Sequence, residues 1–129
     1  MENGGKEMIG KELLCELRGS GCKYNEDQII FITKDSEGKL IWLERGNDFA
    51  GLEHIIANHE NDFFQAIGIK KNEIALYLYT AITNGKLVKN VPSKIAGGLD
   101  RTYEYDDHYY TFVGLGNNGF IVTAFPVGK

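Results

Sequence analysis

The sequence predicts an α+β fold in which N-terminal helices and a hairpin pack on a C-terminal antiparallel β-sheet. Three observations carry this reading. NEIALYLYTAITNG, from Asn72 to Gly85, places Ile74, Leu78, Ala81 and Ile82 on one helical stripe with Tyr77 alongside. From Lys86 onward the apolar period shortens to alternation, the mark of half-buried strands. Gly116-Asn117-Asn118-Gly119 then supplies a hairpin turn between two such runs. Helices followed by a meander place the helices on one face of the sheet.

The elements follow in chain order. Lys6 to Arg18 reads as a helix, with Met8, Leu13, Leu14 and Leu17 at helical spacing and Gly19-Ser20-Gly21 as its stop. Gln28 to Thr33 and Lys39 to Leu43 are β-branched and aromatic. Between them KDSEG is a turn in which Gly38 can take positive φ, so the two runs read as a hairpin. Asp48 is the expected N-cap of a helix beginning near Phe49, with Leu52, Ile55 and Ile56 inward. That helix continues or restarts through Asp62, Phe63, Phe64 and Ile67 and ends at Gly68. Asn72 is the expected cap of the next helix and Gly85 its terminator. Lys86 to Val91 is a short strand, and Pro92 to Gly98 a loop. Arg101 to Tyr105 and Tyr109 to Leu115 alternate around an Asp106-Asp107 turn, and Phe120 to Phe125 is a strand that Pro126 ends.

Helices on one face leave the second face of the sheet to form an open groove. Alternation sets Thr123 away from Val122 and Ala124, and Tyr109 and Thr111 away from Tyr110 and Phe112. It also puts Arg101, Tyr103 and Tyr105 on a common face. The expectation is that arginine, tyrosine and threonine converge on one surface; an ordinary solvated face gives the same pattern.

Composition narrows the functional classes. A chain of 129 residues suits one domain with its own core. No apolar run approaches the roughly 18 residues of a membrane span, so no membrane anchor is expected. Charges interrupt MENGGKEMIGKELLCELRG throughout, unlike a signal peptide, so export would depend on a secretion system or a larger parent chain. The formal charge of −4 argues mildly against nonspecific nucleic-acid binding. Its distribution softens that. Lys70, Lys71, Lys86, Lys89, Lys94 and Arg101 outnumber the acids between Phe63 and Arg101, whereas acids dominate from Glu44 to Asp62. Cys15 and Cys22 flank ELRGSG and read either as a bridge closing a short loop or as two reduced thiols. No CxxC or zinc-ligand spacing is present.

Chemistry concentrates in GLEHIIANHENDFF, from Gly51 to Phe64, which holds His54 and His59; His108 is the remaining histidine. Five residues of helix turn about 500°, leaving the two some 140° apart around the axis. An unbroken helix therefore does not present them on one face, and the i, i+4 spacing of HExxH zinc sites is missing. A kink at Asn58, or a helix end there, would bring them together.

GLEHIIANHENDFF, the helix ending AITNGKLV, the strand RTYEY and the terminal NGFIVTAFP together resemble the barnase–EndoU–colicin–RelE (BECR) superfamily of ribonuclease domains. These occur at the C-termini of bacterial polymorphic toxins, including contact-dependent growth inhibition toxins. The resemblance spans Leu43 to Val127. It suggests a nuclease core over residues 28–127, with residues 1–27 either a family-specific arm or the remnant of a junction with a larger toxin. It implies a toxin domain delivered as part of a larger secreted or cell-surface protein and acting in the target-cell cytoplasm. It also implies metal-independent RNA cleavage without a cofactor, with tRNA as substrate and a cognate immunity protein as partner. In that chemistry the ribose 2′-OH attacks its own 3′-phosphate. A base, an acid and phosphate donors are needed, suiting histidine, histidine and arginine. Carried over position by position, His54 matches the helix-borne general base or acid, Thr123 the closing-strand threonine and Arg101 the cation of the central strand. His59 is the second histidine, at a shorter spacing than in EndoU-like members. Lys86, Lys89 or Lys94 supplies the lysine of the pattern, and Tyr103 or Tyr109 stacks on a base or assists the phosphate. Two other readings stand beside it. One is a non-enzymatic binding or immunity-type module of similar build. The other is a metal hydrolase using His54, His59 and His108 with Asp106 or Asp107.

Overall fold

The computed structural model describes residues 8–94 and 97–129. Among them are three α-helices: α1 (Lys11–Arg18), α2 (Leu52–Ile67) and α3 (Ile74–Asn84). β1 (Ile29–Lys34) and β2 (Leu40–Glu44) form an antiparallel hairpin. β3 (Lys86–Pro92), β4 (Leu99–Glu104), β5 (Tyr109–Leu115) and β6 (Ile121–Gly128) form a four-stranded antiparallel meander in sequence order. The class is the α+β one that the change of period predicts. An isolated parallel bridge between Trp42 and Phe120 joins hairpin to meander.

Several boundaries differ from expectation, each for a local reason. The first helix starts at Lys11 rather than Lys6, whose own placement lies outside the described residues, as do Ile95 and Ala96 of the expected 92–98 loop. Asn72 does not cap α3. It sits inside a 3₁₀ turn, Lys71–Glu73, in which the Glu73 carboxylate accepts the Lys70 backbone N–H at 2.8 Å. Gly85 does terminate α3, but in extended backbone; a Cβ there would lie 2.3 Å from the Ala81 carbonyl oxygen, so only glycine fits. Pro126 does not end the last strand. β6 runs through it to Gly128, because β6 is an edge strand and tolerates a missing ladder donor.

The hairpin is the middle layer. Its inner face gives Phe31, Ile41 and Leu43 to the main core, with Ile55 and Phe63 of α2, Ile74, Leu78 and Ile82 of α3, and Tyr103, Val113 and Ala124 of the sheet. Its outer face gives Ile29, Ile32 and Trp42 to a second cluster, which α1 closes with the fully buried Leu17. Each such aliphatic side chain contributes roughly 1.5–3 kcal/mol by leaving water.

One polar cluster crosses this apolar interior. Asp35, in the hairpin turn, accepts the backbone N–H groups of Glu37 and Lys39 on Oδ1, both at 3.0 Å. Its Oδ2 takes an ion-paired hydrogen bond from Arg101 Nη1 and one from the Tyr103 hydroxyl at 2.6 Å. The Asp35 side chain is wholly buried and that of Arg101 nearly so. Burial disfavours the Asp35 charge. The Tyr103 hydroxyl, the Lys39 N–H, the Arg101 guanidinium and the Glu37 N–H together outweigh it and hold the carboxyl below its usual pKa. Burial, then the Asp35 carboxylate, push the Tyr103 phenol upward.

Asp35→Ala should strand a buried guanidinium and cost about 3–5 kcal/mol in urea unfolding at neutral pH. A depressed folded-state pKa gives stability that is complete above the ordinary carboxylate range and is lost as pH falls through the folded value. Wild type should therefore lose stability in acid more steeply than Asp35→Ala. Parallel acid profiles for the two proteins would refute this account of the cluster.

Candidate active site at the α2–β6 edge

The site begins with how α2 starts. Asn47 Oδ1 accepts the backbone N–H groups of Phe49 and Ala50 at 2.8 and 3.3 Å, winding a turn ahead of the helix. Asp48 is therefore not the cap. The N-cap is Gly51, at φ 89° and ψ −165°, a conformation that is essentially glycine-only. A Cβ on Gly51 would sit 2.8 Å from the Glu44 carbonyl oxygen. The Gly51 N–H donates to the Val122 carbonyl at 3.0 Å, which pins the start of α2 to β6. Asp48 instead offers its carbonyl to His54 Nδ1 at 2.9 Å.

α2 runs unbroken from Leu52 to Ile67, yet the His54 and His59 rings lie 6.3 Å apart in a T-shaped arrangement. The expectation that an intact helix keeps them apart is corrected by side-chain reach. The turn at Asp48 holds one ring, and β6 holds the other, whose centroid is 4.7 Å from that of Phe125. The two histidines have different partners. His54 Nδ1 stands between the Asp48 carbonyl at 2.9 Å, which can only accept, and the Asn58 amide nitrogen at 3.1 Å, which can only donate and also bonds the His54 carbonyl at 3.0 Å. The tautomer that donates from Nδ1 to Asp48 has its lone pair on Nε2. His59 Nδ1 lies 2.8 Å from Asp62 Oδ2, so its partner is a carboxylate that forms an ion pair with the imidazolium form. Among the described residues neither Nε2 has a protein partner.

An aromatic row continues from the histidines. Phe125 stacks on Phe112 at 4.7 Å and 22°, while its contact with His59 is at 4.7 Å and 32°. Phe112 and Phe125 are cross-strand partners on the face of the sheet turned away from the core. Thr102 faces Phe112 there, and Asp100 faces Gly114, which faces Thr123. Thr123 lies on this open face. Its hydroxyl is buried and has no partner among the described residues, and its methyl would meet a Cβ on Gly114 at 3.2 Å.

The expected convergence of arginine, tyrosine and threonine on one surface does not occur. Arg101 pairs across the sheet with Val113, which pairs with Ala124, so Arg101 and Tyr103 point into the core. Arg101 is committed to Asp35 and is not exposed to grip a phosphate. Tyr103 is fully buried and has no free ring face for a base. A bulge at Gly114–Leu115 opposite Ile121–Thr123 lets Ile121 face the core while Thr123 faces outward. Tyr109 sits beside α2, lining a small depression of about 250 Å³ with Asp62, Gln65 and Pro126. Lys86, Lys89 and Lys94 are exposed, but β3 is the edge opposite β6. Three strand spacings, roughly 14 Å, separate those edges.

His108 lies in the β4–β5 turn, its N–H on Asp106 Oδ2 at 2.8 Å. Among the described residues no three His, Cys, Asp or Glu side chains gather as a metal site, and His108 is not among the partners of His54 or His59. None of the described helices is long and apolar enough to cross a membrane. Cys15 and Cys22 are free thiols. A larger depression, about 810 Å³, lies behind α2 between Asn58, Phe64 and Lys71 and includes neither helix histidine.

No protein-family model matches the chain, and no curated protein matches it.

The sequence motifs alone do not point to Asp62, Phe112 or Phe125 for the site. Asp62 is three residues from His59, the spacing of helical neighbours, so that pair was within reach of the pattern. Phe125 alternates with Ala124, but its contact with His59 depends on how α2 docks.

Gly51→Ala should destabilise the protein by about 1–3 kcal/mol, the cost of forcing a side chain into that backbone conformation, read by urea unfolding. A neutral substitution would show that α2 can start another way, and that Gly51 does not set the position of His54.

Proposed function

We propose that this chain is a metal-independent endoribonuclease domain of the BECR toxin kind, cleaving RNA by transphosphorylation. The observation that carries it is the histidine pair: two imidazoles 6.3 Å apart at a sheet edge, one bonded to a carbonyl and one to a carboxylate. Proton transfer in opposite directions needs that asymmetry. His54, in the tautomer that donates from Nδ1 to the Asp48 carbonyl, removes the proton from the ribose 2′-OH through Nε2. The 2′-oxygen attacks the adjacent phosphorus, and the bond to the 5′-oxygen breaks. His59, when in its imidazolium form paired with Asp62, gives its Nε2 proton to that leaving oxygen. The products are a 2′,3′-cyclic phosphate and a 5′-OH end. The Thr123 hydroxyl, buried and unpartnered among the described residues on the same edge strand, reaches a phosphate oxygen by rotating about χ1 toward the open face. Arg101 acts one step removed, by holding β4 and thus the sheet.

The resemblance supplies the biological setting of this proposal: tRNA as substrate, delivery within a larger secreted toxin and a cognate immunity protein that occludes the open face. The competing reading, a non-enzymatic binding or immunity-type module, uses the same fold with structural histidines.

The test is cleavage of total bacterial RNA by purified wild type, His54→Ala, His59→Ala and Asp62→Asn, with circular dichroism as the fold control. Each histidine variant should lose about 10²–10⁴-fold in rate with its melting transition retained. Asp62→Asn should fall between them and wild type. Wild type that leaves RNA intact, or histidine variants that cleave normally, would sink the nuclease reading and favour the binding module.

A further inference from the structure

The open face beside the histidine pair contains a second feature that acid–base chemistry does not use. Phe112, but not Phe125, also lines a shallow depression of about 480 Å³ with Lys89, Asp100, Thr102, Tyr110 and Val127. Its volume is within the range of small-ligand sites. Its composition is unlike an ordinary solvated face. Tyr110 and Phe112 form one wall, and the Lys129 ammonium stands 5.4 Å from the centroid of the Tyr110 ring while pairing with Glu104 at 2.8 Å. Asp100 and Thr102 stand on its floor as hydrogen-bonding groups, and Lys89 supplies an exposed cation at its rim. The row Phe112–Phe125–His59 connects it to the proposed reaction centre in two ring spacings of 4.7 Å each.

We propose that this depression is a subsite for one unpaired nucleotide of the RNA substrate, its base stacked on Phe112 with Tyr110 alongside and its phosphate beside Lys89. This rests on the nuclease reading above and deepens it: the substrate class becomes single-stranded RNA. Phe125 already has ring contacts with both Phe112 and His59, so the free end of the row is where a further π-face adds. Every base has such a face, which makes stacking tolerant of sequence, while Asp100 and Thr102 offer partners to a base edge. A paired base keeps both faces in its own helix and cannot enter. The net charge of −4 fits this arrangement, since affinity comes from stacking rather than from a broad basic surface.

The experiment measures binding of a fluorescein-labelled, mixed-sequence RNA oligonucleotide, single-stranded or annealed to its complement. It uses the full chain carrying His54→Ala, with and without Phe112→Leu or Phe112→Trp. Cleavage by wild type and by the Phe112 variants alone is followed in parallel. Single strands should bind at least tenfold more tightly than duplex. Phe112→Leu should weaken single-strand binding about tenfold, as expected for one lost base–aromatic stack, and Phe112→Trp should restore it. In cleavage, Phe112→Leu should raise KM with little change in kcat. Equal affinity for duplex, or Phe112→Leu binding like its parent, overturns the subsite even where wild type cleaves RNA. Selective, Phe112-dependent single-strand binding without any cleavage upholds the subsite and overturns the nuclease reading instead.

Discussion

The carboxylate of Asp35 is the point on which the rest of the structure turns. It closes its own hairpin turn through two backbone donors and receives Arg101 and Tyr103 from the middle of the meander. The carboxylate charge is tolerable in that interior because four donors partner it, whereas Arg101 leaves its buried Nε without a partner among the described residues. The same bonds fix which face of β4 looks inward, since Arg101 and Tyr103 must both reach a turn between β1 and β2. With that face settled, Thr102 and Asp100 necessarily look outward. The open face is a consequence of the buried pair, and the residues most suggestive of phosphate binding in the sequence are spent on making it.

Position of the histidines depends on a different constraint, the docking of α2 against β6. Gly51 turns the chain where no side chain fits, and its N–H bonds to the strand carrying Thr123 and Phe125. The first turn of α2 and the edge of the sheet thus become one rigid corner. Under the proposed mechanism rigidity matters there, because proton transfer requires heavy atoms within hydrogen-bond reach and misplacement by an ångström costs orders of magnitude in rate. The partners of His54 and His59 come from their own helix and from the turn before it. The strand contributes apolar packing against His59 through Phe125 and carries Thr123 two residues earlier.

Much of the fold was legible because it is written in short-range pattern. The stripe of α3, the KDSEG turn and the alternation after Lys86 each follow from local geometry. The misreadings fall where tertiary contact decides. Asp48 looks like a cap, but Asn47 takes the donors and Gly51 takes the cap position. Pro126 looks like a stop, but an edge strand does not need its N–H. For the site, His54, His59 and Thr123 could be picked out as chemistry-bearing, whereas Arg101 and Tyr103 could not be assigned a face. Alternation says that two residues share a side of a strand. It does not say which side is buried, and an arginine reads as surface until its buried counter-ion, 66 residues away in sequence, is known.

The most direct measurement is chemical identification of the RNA ends left by the purified protein in the presence of EDTA. Transphosphorylation by the histidine pair predicts cleavage undiminished by the chelator, with 2′,3′-cyclic phosphate on one fragment and 5′-OH on the other. Fragments bearing 5′-phosphate and 3′-OH ends, or cleavage abolished by EDTA, would contradict it.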